Sequence, residues 1–304
     1  MNNAPISEQP DAVREPGALR LGSKVLAVTE FSIMAIVNRT PDSFYAPGKT
    51  WDHTAALEYV DEAVAAGADI VDVGGVPAHP GDEVETVEEI RRTAPFIAAL
   101  RSTHPDLVIS IDTWRHEVGR EACAAGANLV NDSWGGWDRQ LVEVAAEFRS
   151  GYVCTHVGSQ PPRTRPFRVT YQDIMREVIE KTLGLADMAI HLGVDPSSIL
   201  IDPAHDFGKN TWQSMEITRR LNEMVATGWP VLVSVSDKDF IGETLDASDP
   251  EERLNGTLAA ISICAWQGAR VFRVHAIPEA VQVLKMVSTM RGDLSPEGII
   301  RGEV

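Results

Sequence analysis

The chain has 304 residues, of which 44% are hydrophobic and 23% charged, and its formal net charge at pH 7 is -17. This acidic balance excludes nonspecific binding to nucleic acid or to an anionic membrane surface, because no block of basic residues is present to pair with phosphates. No apolar run approaches the roughly 20 residues that a membrane span requires, so we expect a soluble protein of two ordinary domains or one large barrel.

The first 20 residues are polar and contain three prolines. They lack the apolar core of a secretory signal, so we expect a flexible N-terminal segment and a cytoplasmic location. The three cysteines lie far apart in apolar surroundings, which favours reduced, packed thiols over a disulfide or metal framework. The pattern predicts one domain over residues 21–292 and a polar tail over residues 293–304.

Short apolar runs rich in Val and Ile alternate with amphipathic segments along the rest of the chain. This alternation predicts parallel strands joined by helices, and eight units in succession favour a closed (β/α)₈ TIM barrel over an open sheet. The predicted strands are Ile33 to Asn38, Asp69 to Asp72, Leu107 to Asp112, Asn128 to Asp132, Tyr152 to His156, Ile199 to Asp202, Val231 to Ser236 and Arg270 to His275. The predicted helices include Ala55 to Ala66, Val84 to Leu100, Trp114 to Ala125, Ile174 to Leu192, Trp212 to Thr227 and Arg253 to Gln267.

A polar residue stands at or near the end of almost every predicted strand. In a barrel all the carboxyl ends face one mouth, so these side chains are expected to converge there. Taken singly, each Asn or Asp is more often a helix cap or a turn residue, but their repetition favours a shared site. The residues are Asn38, Asp72, Asp112, Asn131, Asp202, Lys238 and His275.

These segments resemble the dihydropteroate synthase family. The run from Ile33 to Phe44 is similar to that family's first-strand signature, in which Asn is followed by x-Thr-Pro-Asp-Ser-Phe, and the run from Gly67 to Gly75 is similar to its second strand. The matches continue in the family's order over roughly residues 22 to 290. The later segments are Ser110 to Thr113, Asn131 to Asp132, Asp202 to Pro203, Phe207 to Lys209, Ser236, Lys238 to Gly242 and Arg273 to His275.

The resemblance implies a pterin-binding barrel whose relatives join a hydroxymethyl-dihydropterin pyrophosphate to p-aminobenzoate and release pyrophosphate. By resemblance, the pterin ring would be bound by Asp112, Asn131, Asp202 and Lys238. This assignment is physically reasonable, because an amidine-like ring edge pairs with carboxylates and a ring carbonyl pairs with an ammonium or amide group.

The resemblance also implies sites for the anion, the metal and the second substrate. Arg273 and His275 would hold the pyrophosphate, and Asn38 would help to hold Mg²⁺ on the same anion. Sulfonamide-like compounds, which mimic p-aminobenzoate, are possible ligands of the second-substrate region. By resemblance, that region contains Ser236, Phe207 and Pro80. Relatives usually form homodimers through late outer helices, and the apolar face of Leu258 to Trp266 is suited to this contact.

Two loops depart from the family's pattern. The family's second loop reads Gly-Gly-Glu-Ser-Thr-Arg-Pro-Gly, whereas here Gly74 to Gly81 reads Gly-Gly-Val-Pro-Ala-His-Pro-Gly. The glutamate, the hydroxyls and the guanidinium are therefore lost together, and His79 has no bidentate fork to replace them. The first loop continues as Tyr45 to Gly48 and lacks the family's acidic residue.

Two further sites differ in charge or in backbone freedom. The seventh-strand signature Ser-Arg-Lys becomes Ser-Asp-Lys at Asp237, which reverses a charge near the expected anion site. A unit charge about 5 Å from a phosphate contributes roughly 3 kcal/mol at an effective dielectric near 20. In the sixth loop, Ala204 and Asp206 replace glycines, so an altered loop path is expected.

These departures favour a dihydropteroate synthase homologue that keeps part of a pterin pocket but has absent or very low synthase activity, and so is not a working folate-pathway enzyme. One alternative is an active synthase in which Arg39, Arg163 or Arg165 supplies the missing positive charge. Another is a noncatalytic barrel that binds a ligand or a partner, which fold alone does not exclude.

Overall fold

The structure, a computed structural model, describes residues 17–27, 29–41, 52–164, 169–298 and 300–301. Eight parallel strands, β3 to β10, form one sheet in the order β8-β7-β6-β5-β4-β3-β10-β9. A bridge between Ile201 and Val231 joins the two ends and closes the barrel predicted from the sequence. The strands are β1 (Leu19–Leu21), β2 (Lys24–Leu26), β3 (Ser32–Asn38), β4 (Ile70–Gly74), β5 (Val108–Thr113), β6 (Leu129–Asp132), β7 (Gly151–Thr155), β8 (Ile199–Asp202), β9 (Leu232–Val233) and β10 (Val271–Val274).

Helices surround the barrel. They are α1 (His53–Ala65), α2 (Thr86–Thr103), α3 (His116–Ala125), α4 (Gln140–Glu147), α5 (Ile174–His191), α6 (Thr211–Arg219), α7 (Leu221–Val225), α8 (Asp239–Leu245), α9 (Leu254–Trp266) and α10 (Ile277–Arg291). Short 3₁₀ turns occur at Pro196–Ser198 and Pro250–Arg253. None of the helices in the described ranges is long and apolar enough to cross a membrane.

The predicted strands agree with the observed ones to within two residues at each end, except the seventh. Of Val231 to Ser236, only Leu232–Val233 are paired as a strand. The helix predicted over Trp212 to Thr227 is divided into two at Arg220, whose backbone (φ -106°, ψ 13°) leaves the helical region.

An antiparallel hairpin of β1 and β2 closes the amino-terminal end of the barrel. Leu19 and Leu21 are fully buried, and they belong to one apolar cluster with an inward-facing residue of every barrel strand. The sequence did not predict this hairpin, because three residues per strand are too few to show a period. Residues 1–16 of the predicted flexible segment lie outside the described residues. The inward-facing layer consists of Met34, Ile70, Val108, Leu129, Val153, Leu200, Leu232 and Val271.

The next inward-facing layer, two residues further along each strand, is almost entirely polar. Because side chains alternate between the two faces of a strand, it lies directly above the apolar layer and towards the barrel mouth. The change from apolar to polar creates a hydrophobic base beneath a polar floor. The polar residues of this layer are Asp72, Ser110, Asn131, Thr155, Asp202, Ser234 and Arg273.

The base of the barrel supplies a test of the hairpin. Leu21→Ala should lower the free energy of unfolding by about 3 kcal/mol, because it leaves a cavity in the apolar cluster at the base of the barrel. Leu294→Ala is the matched control: this leucine is 51% exposed, and its loss should cost less than about 1 kcal/mol. Urea unfolding followed by circular dichroism measures both, and equal effects would show that the hairpin does not pack as described.

Candidate ligand-binding site

A cavity of about 540 Å³ opens at the carboxyl ends of the barrel strands. The structure thus brings together side chains that lie at the ends of all eight barrel strands or in the loops that follow them, as the barrel prediction required. Pro80 is the exception among the predicted site residues, since it is exposed and does not line the cavity. The nine that line it are Asn38, Asp112, Asn131, Asp202, Phe207, Ser236, Lys238, Arg273 and His275.

A buried ion network lies at the floor of this cavity. Arg273 donates from Nε to Asp72 Oδ2 at 2.7 Å and from Nη2 to Asp112 Oδ2 at 2.8 Å. Asn131 Nδ2 donates to the same Asp72 oxygen at 3.0 Å. Asp72 is fully buried and therefore acts on the side chains around it, orienting Arg273 and Asn131.

Two carboxyl groups of the floor have raised pKa values. Burial raises the pKa of Asp112 to about 6, although the neighbouring Arg273 charge opposes the shift. Burial also raises the pKa of Asp202 to about 6, against a hydrogen bond of 2.7 Å from the Ala204 N–H to its Oδ1. Near neutral pH these groups are close to their titration points, so they can pair with the N–H donors of a flat heterocycle in either protonation state.

Three buried oxygen atoms of the polar layer have no hydrogen-bond partner within the described ranges: Asp72 Oδ1, Ser110 Oγ and Thr155 Oγ1. Thr155 also lines the cavity and stands beside Asp202 in the register of β7 and β8. Buried polar atoms are normally paired, so the hydroxyl of Thr155 is suited to a polar ligand or a water molecule.

An aromatic wall that the sequence did not predict lines one side of the cavity. The ring centroids of Trp134 and Phe207 are 5.2 Å apart, and those of Trp114 and Trp134 are 6.3 Å apart. Lys238 Nζ lies 4.7 Å from the centroid of Phe207, and burial lowers the pKa of this lysine. The sequence does contain one indication of this wall: each of the two tryptophans stands two residues after a carboxylate near a strand end.

The reversed charge at Asp237 is paired with His275. The Asp237 carboxylate is 3.0 Å from His275 Nδ1 and accepts a hydrogen bond of 3.3 Å from Ser236 Oγ. The Thr257 hydroxyl accepts from the Asp237 N–H at 3.1 Å and donates to its Oδ1 at 3.3 Å. The family-like serine and histidine therefore meet an acid where the family's signature has an arginine.

The loop after β8 keeps a glycine-like backbone. Ala204 (φ +48°) and Asp206 (φ +69°) both lie in the left-handed region that glycine favours. Asp206 accepts hydrogen bonds from Ser214 Oγ at 3.1 Å and from the Phe240 N–H at 3.2 Å. The substitution thus adds an anchor between this loop and α8.

The second loop, after β4, is held in place without offering a cation to the cavity. Val76, Pro77, Ala78 and His79 line the mouth. Arg163 donates to the carbonyl oxygens of His79 at 3.1 Å and of Asp82 at 2.6 Å, so it supports the loop from outside. The hypothesis that Arg163 replaces a lost anion-binding charge is not supported, because its guanidinium is occupied by this backbone.

Arg39 is also turned away from the cavity. It is buried, lies 4.6 Å from the ring centroid of Phe96 and donates to the Asp52 carbonyl at 3.2 Å. Its guanidinium packs beneath α1 and α2 and does not line the cavity, which contradicts the proposed compensation. Arg165 and the first loop lie outside the described residues.

The described residues that line the cavity do not carry an excess of positive charge. Its cationic lining residues are Lys238, Arg253 and Arg273. Arg273 is bound by two carboxylates, and Arg253 donates to the Asp237 carbonyl at 2.8 Å and to Asp239 Oδ1 at 3.2 Å. Four carboxylates line the same surface, so these cations are largely neutralised before a ligand binds. The carboxylates are Asp112, Asp202, Asp237 and Asp239.

Comparisons of the sequence and of the structure with known proteins indicate the same family. The profile described as Pterin binding enzyme matches residues 34–275. The chain is 52% identical over 274 residues to a Mycobacterium tuberculosis protein named inactive dihydropteroate synthase 2, covering 89% of this chain and 86% of that protein. It is 37% identical to a Synechocystis dihydropteroate synthase, covering 85% and 89%. The crystal structure of Yersinia pestis dihydropteroate synthase with a sulfonamide drug complex superposes with a TM-score of 0.85 at 29% identity, covering 91% and 100%.

The raised pKa of Asp202 generates a prediction about stability. Because its folded pKa of about 6 exceeds the usual value of 3.8, its contribution to stability is present at low pH and is lost as pH rises from about 4 to 6. Asp202→Asn removes the ionisation and should raise the free energy of unfolding at pH 8 by about 3 kcal/mol.

Urea unfolding of wild type and Asp202→Asn at pH 4.5 and pH 8 measures this difference. The gain should shrink at the lower pH, where wild-type Asp202 is protonated. Asp187→Asn, at an exposed position on α5, is the control and should change little at either pH. A variant that is less stable than wild type by the same amount at both pH values would contradict the assignment.

Proposed function

Because the chain belongs to the pterin-binding enzyme family, and is a homologue of dihydropteroate synthases, we propose that it binds a pterin ring without synthesising dihydropteroate. One observation carries the proposal: the ring-binding side chains surround a single cavity, whereas the two arginines that line it within the described part of the chain are bound to carboxylates or backbone. The 52% identical relative named as inactive supports the same conclusion.

Ring binding is assigned to the floor of the cavity. Asp112 and Asp202 would pair with the N–H donors of the pterin, and Asn131 would complement the ring edge while held by Asp72. Lys238 would donate to the ring carbonyl from its place over Phe207. The unpartnered Thr155 hydroxyl supports a polar ligand at this depth.

Loss of synthase activity follows from the leaving group. The reaction breaks a carbon–oxygen bond, and the departing pyrophosphate gathers negative charge that the protein must stabilise in the transition state. Arg273 and His275 were predicted to hold this anion, but Arg273 is bound to two carboxylates and His275 to Asp237. We therefore infer that the barrier to bond breaking stays high even when the ring is bound.

The predicted Mg²⁺ site at Asn38 remains a proposal. Asn38 lines the cavity and offers one amide oxygen, a suitable but weak ligand for Mg²⁺. Within the described ranges, the only group of three metal-ligating side chains lies elsewhere, at His116, Glu117 and Asp138. One neutral amide oxygen gives little support for a resident ion, so Mg²⁺ binding at Asn38 is proposed only as the resemblance implies it.

A second-substrate region for p-aminobenzoate or a sulfonamide-like compound is proposed at Phe207 and Ser236, which line the cavity beside the aromatic wall. The exposed position of Pro80 gives no support for its part in that region. A cytoplasmic location is proposed because all three cysteines are buried free thiols.

A homodimer is proposed through the outer faces of α9 and α10. Ile263 and Trp266 on α9 are 49% and 59% exposed, and Met286 and Met290 on α10 are 54% and 61% exposed. The two helices pack together, so these apolar side chains form one neighbouring patch of the kind that marks protein contacts.

The synthase assay tests the main proposal. Purified protein with Mg²⁺, hydroxymethyl-dihydropterin pyrophosphate and p-aminobenzoate should form no dihydropteroate above background, while calorimetry should detect binding of a pterin. Asp112→Asn should weaken that binding about tenfold, since a charge-assisted hydrogen bond is lost. The Synechocystis enzyme assayed in parallel is the control, and turnover comparable with it would contradict the proposal.

The dimer contact is tested by size-exclusion chromatography with light scattering. Wild type should have the mass of a dimer, and Trp266→Glu should shift it to the monomer by placing a charge in an apolar contact. Trp212→Glu is the matched control, because this tryptophan is 81% exposed on α6 and outside the patch. A monomeric wild type, or a dimer unaffected by Trp266→Glu, would exclude this interface.

A further inference from the structure

We propose that Asp237 selects ligands at the cavity mouth, so that the site takes a pterin whose side chain is uncharged or carries an amine and rejects one that carries a phosphate. The inference rests on the proposed binding of a pterin ring and defines what that ring carries. It is drawn from a buried carboxylate that lines the cavity and from the groups that hold it.

Asp237 is fixed in position at the outer part of the cavity. Its side chain is only 8% exposed, and its backbone has a φ of +57° in the left-handed region. Thr257 holds both its N–H and its Oδ1, and Arg253 donates to its carbonyl oxygen at 2.8 Å. The carboxylate is therefore part of the built wall, in a position where it cannot turn freely into solvent.

The Asp237 carboxylate presents a hydrogen-bond acceptor to a ligand. Because Asp237 accepts the bond of 3.0 Å, His275 Nδ1 carries the proton. A carboxylate has about four lone-pair positions, and Asp237 uses three of them for Ser236, Thr257 and His275. One further donor from a ligand can be accommodated.

The depth of the cavity determines which part of a ligand would lie near Asp237 and His275. Asn131 and Asp202 belong to the polar floor, whereas Asp237 and His275 follow the ends of β9 and β10 at the mouth. A ring bound at the floor would direct its substituent outward, towards this pair. An amine there donates to acceptors and meets opposite charge, whereas a phosphate meets like charge and has few protons to donate.

Of the three cations that line the cavity, two are bound by other groups: Arg253 binds Asp239 and backbone carbonyls, and Arg273 is bound by two carboxylates. The third, Lys238, lies over Phe207, where the ring is proposed to bind. A negative charge about 5 Å from Asp237 is disfavoured by roughly a hundredfold at an effective dielectric near 20, and solvent reduces this factor. A preference of at least tenfold against the phosphate is therefore expected.

Isothermal titration calorimetry with three ligands that share one ring tests the proposal. The probes are 6-aminomethylpterin, 6-hydroxymethylpterin and the pyrophosphate ester of 6-hydroxymethylpterin. Wild type should bind the amine most tightly, and it should bind the pyrophosphate ester at least tenfold more weakly than the alcohol. Asp237→Asn should bring the amine and the alcohol within threefold of each other and should tighten binding of the ester about tenfold.

Asp237→Asn keeps the shape and suits the left-handed backbone, because asparagine adopts positive φ readily. Asp187→Asn is the control: it makes the same change of charge at an exposed site on α5 and should leave all three affinities unchanged. Binding of the ester by wild type as tight as that of the alcohol, or unchanged preferences in Asp237→Asn, would overturn the proposal. Failure of all three probes to bind wild type would instead overturn ring binding itself, and this inference with it.

Discussion

A buried guanidinium shared between two carboxylates is the interaction on which the cavity depends. Arg273 joins Asp72 on β4 to Asp112 on β5 from the opposite side of β3, so one side chain connects three strands across the barrel. Removing one partner of such a buried network would leave an uncompensated charge, which is strongly destabilising. The floor is therefore maintained by the fold's own charge balance as well as by any ligand.

This charge balance explains why the side chains that would bind a ring can be required for stability even in a protein without synthase activity. Arg273 binds Asp112 and Asp72, and Asn131 binds the same Asp72, so losing a member of this network harms the protein whether or not it catalyses. The loop after β4 carries no such constraint, because its backbone is supported by Arg163 while its side chains face the mouth. Side chains that depart from the family's pattern lie in this loop and at Asp237, which pairs with His275.

The sequence predicted the barrel because the alternation of apolar strands with amphipathic helices, and the polar residue near the end of almost every strand, can be read from it directly. It predicted the positions of Asp112, Asn131 and Asp202, since strand ends in a closed barrel must converge. It did not predict which charges pair: Asp72 and Arg273 are about 200 residues apart, and nothing local records their contact. The hairpin at Leu19 was missed because it is too short to show a period. The sequence left open whether Arg39 or Arg163 supplies a charge to the cavity, because it does not show which way a guanidinium points.

The central claim is that the cavity keeps a floor for a ring and has no binding site for pyrophosphate. Phosphorus-31 NMR of inorganic pyrophosphate with Mg²⁺, titrated with the protein in the presence of saturating 6-hydroxymethylpterin, tests this claim most directly. The account predicts that the pyrophosphate resonance keeps its position and linewidth throughout. Saturable shift or broadening that disappears in an Arg273→Met variant which retains its fold would contradict it.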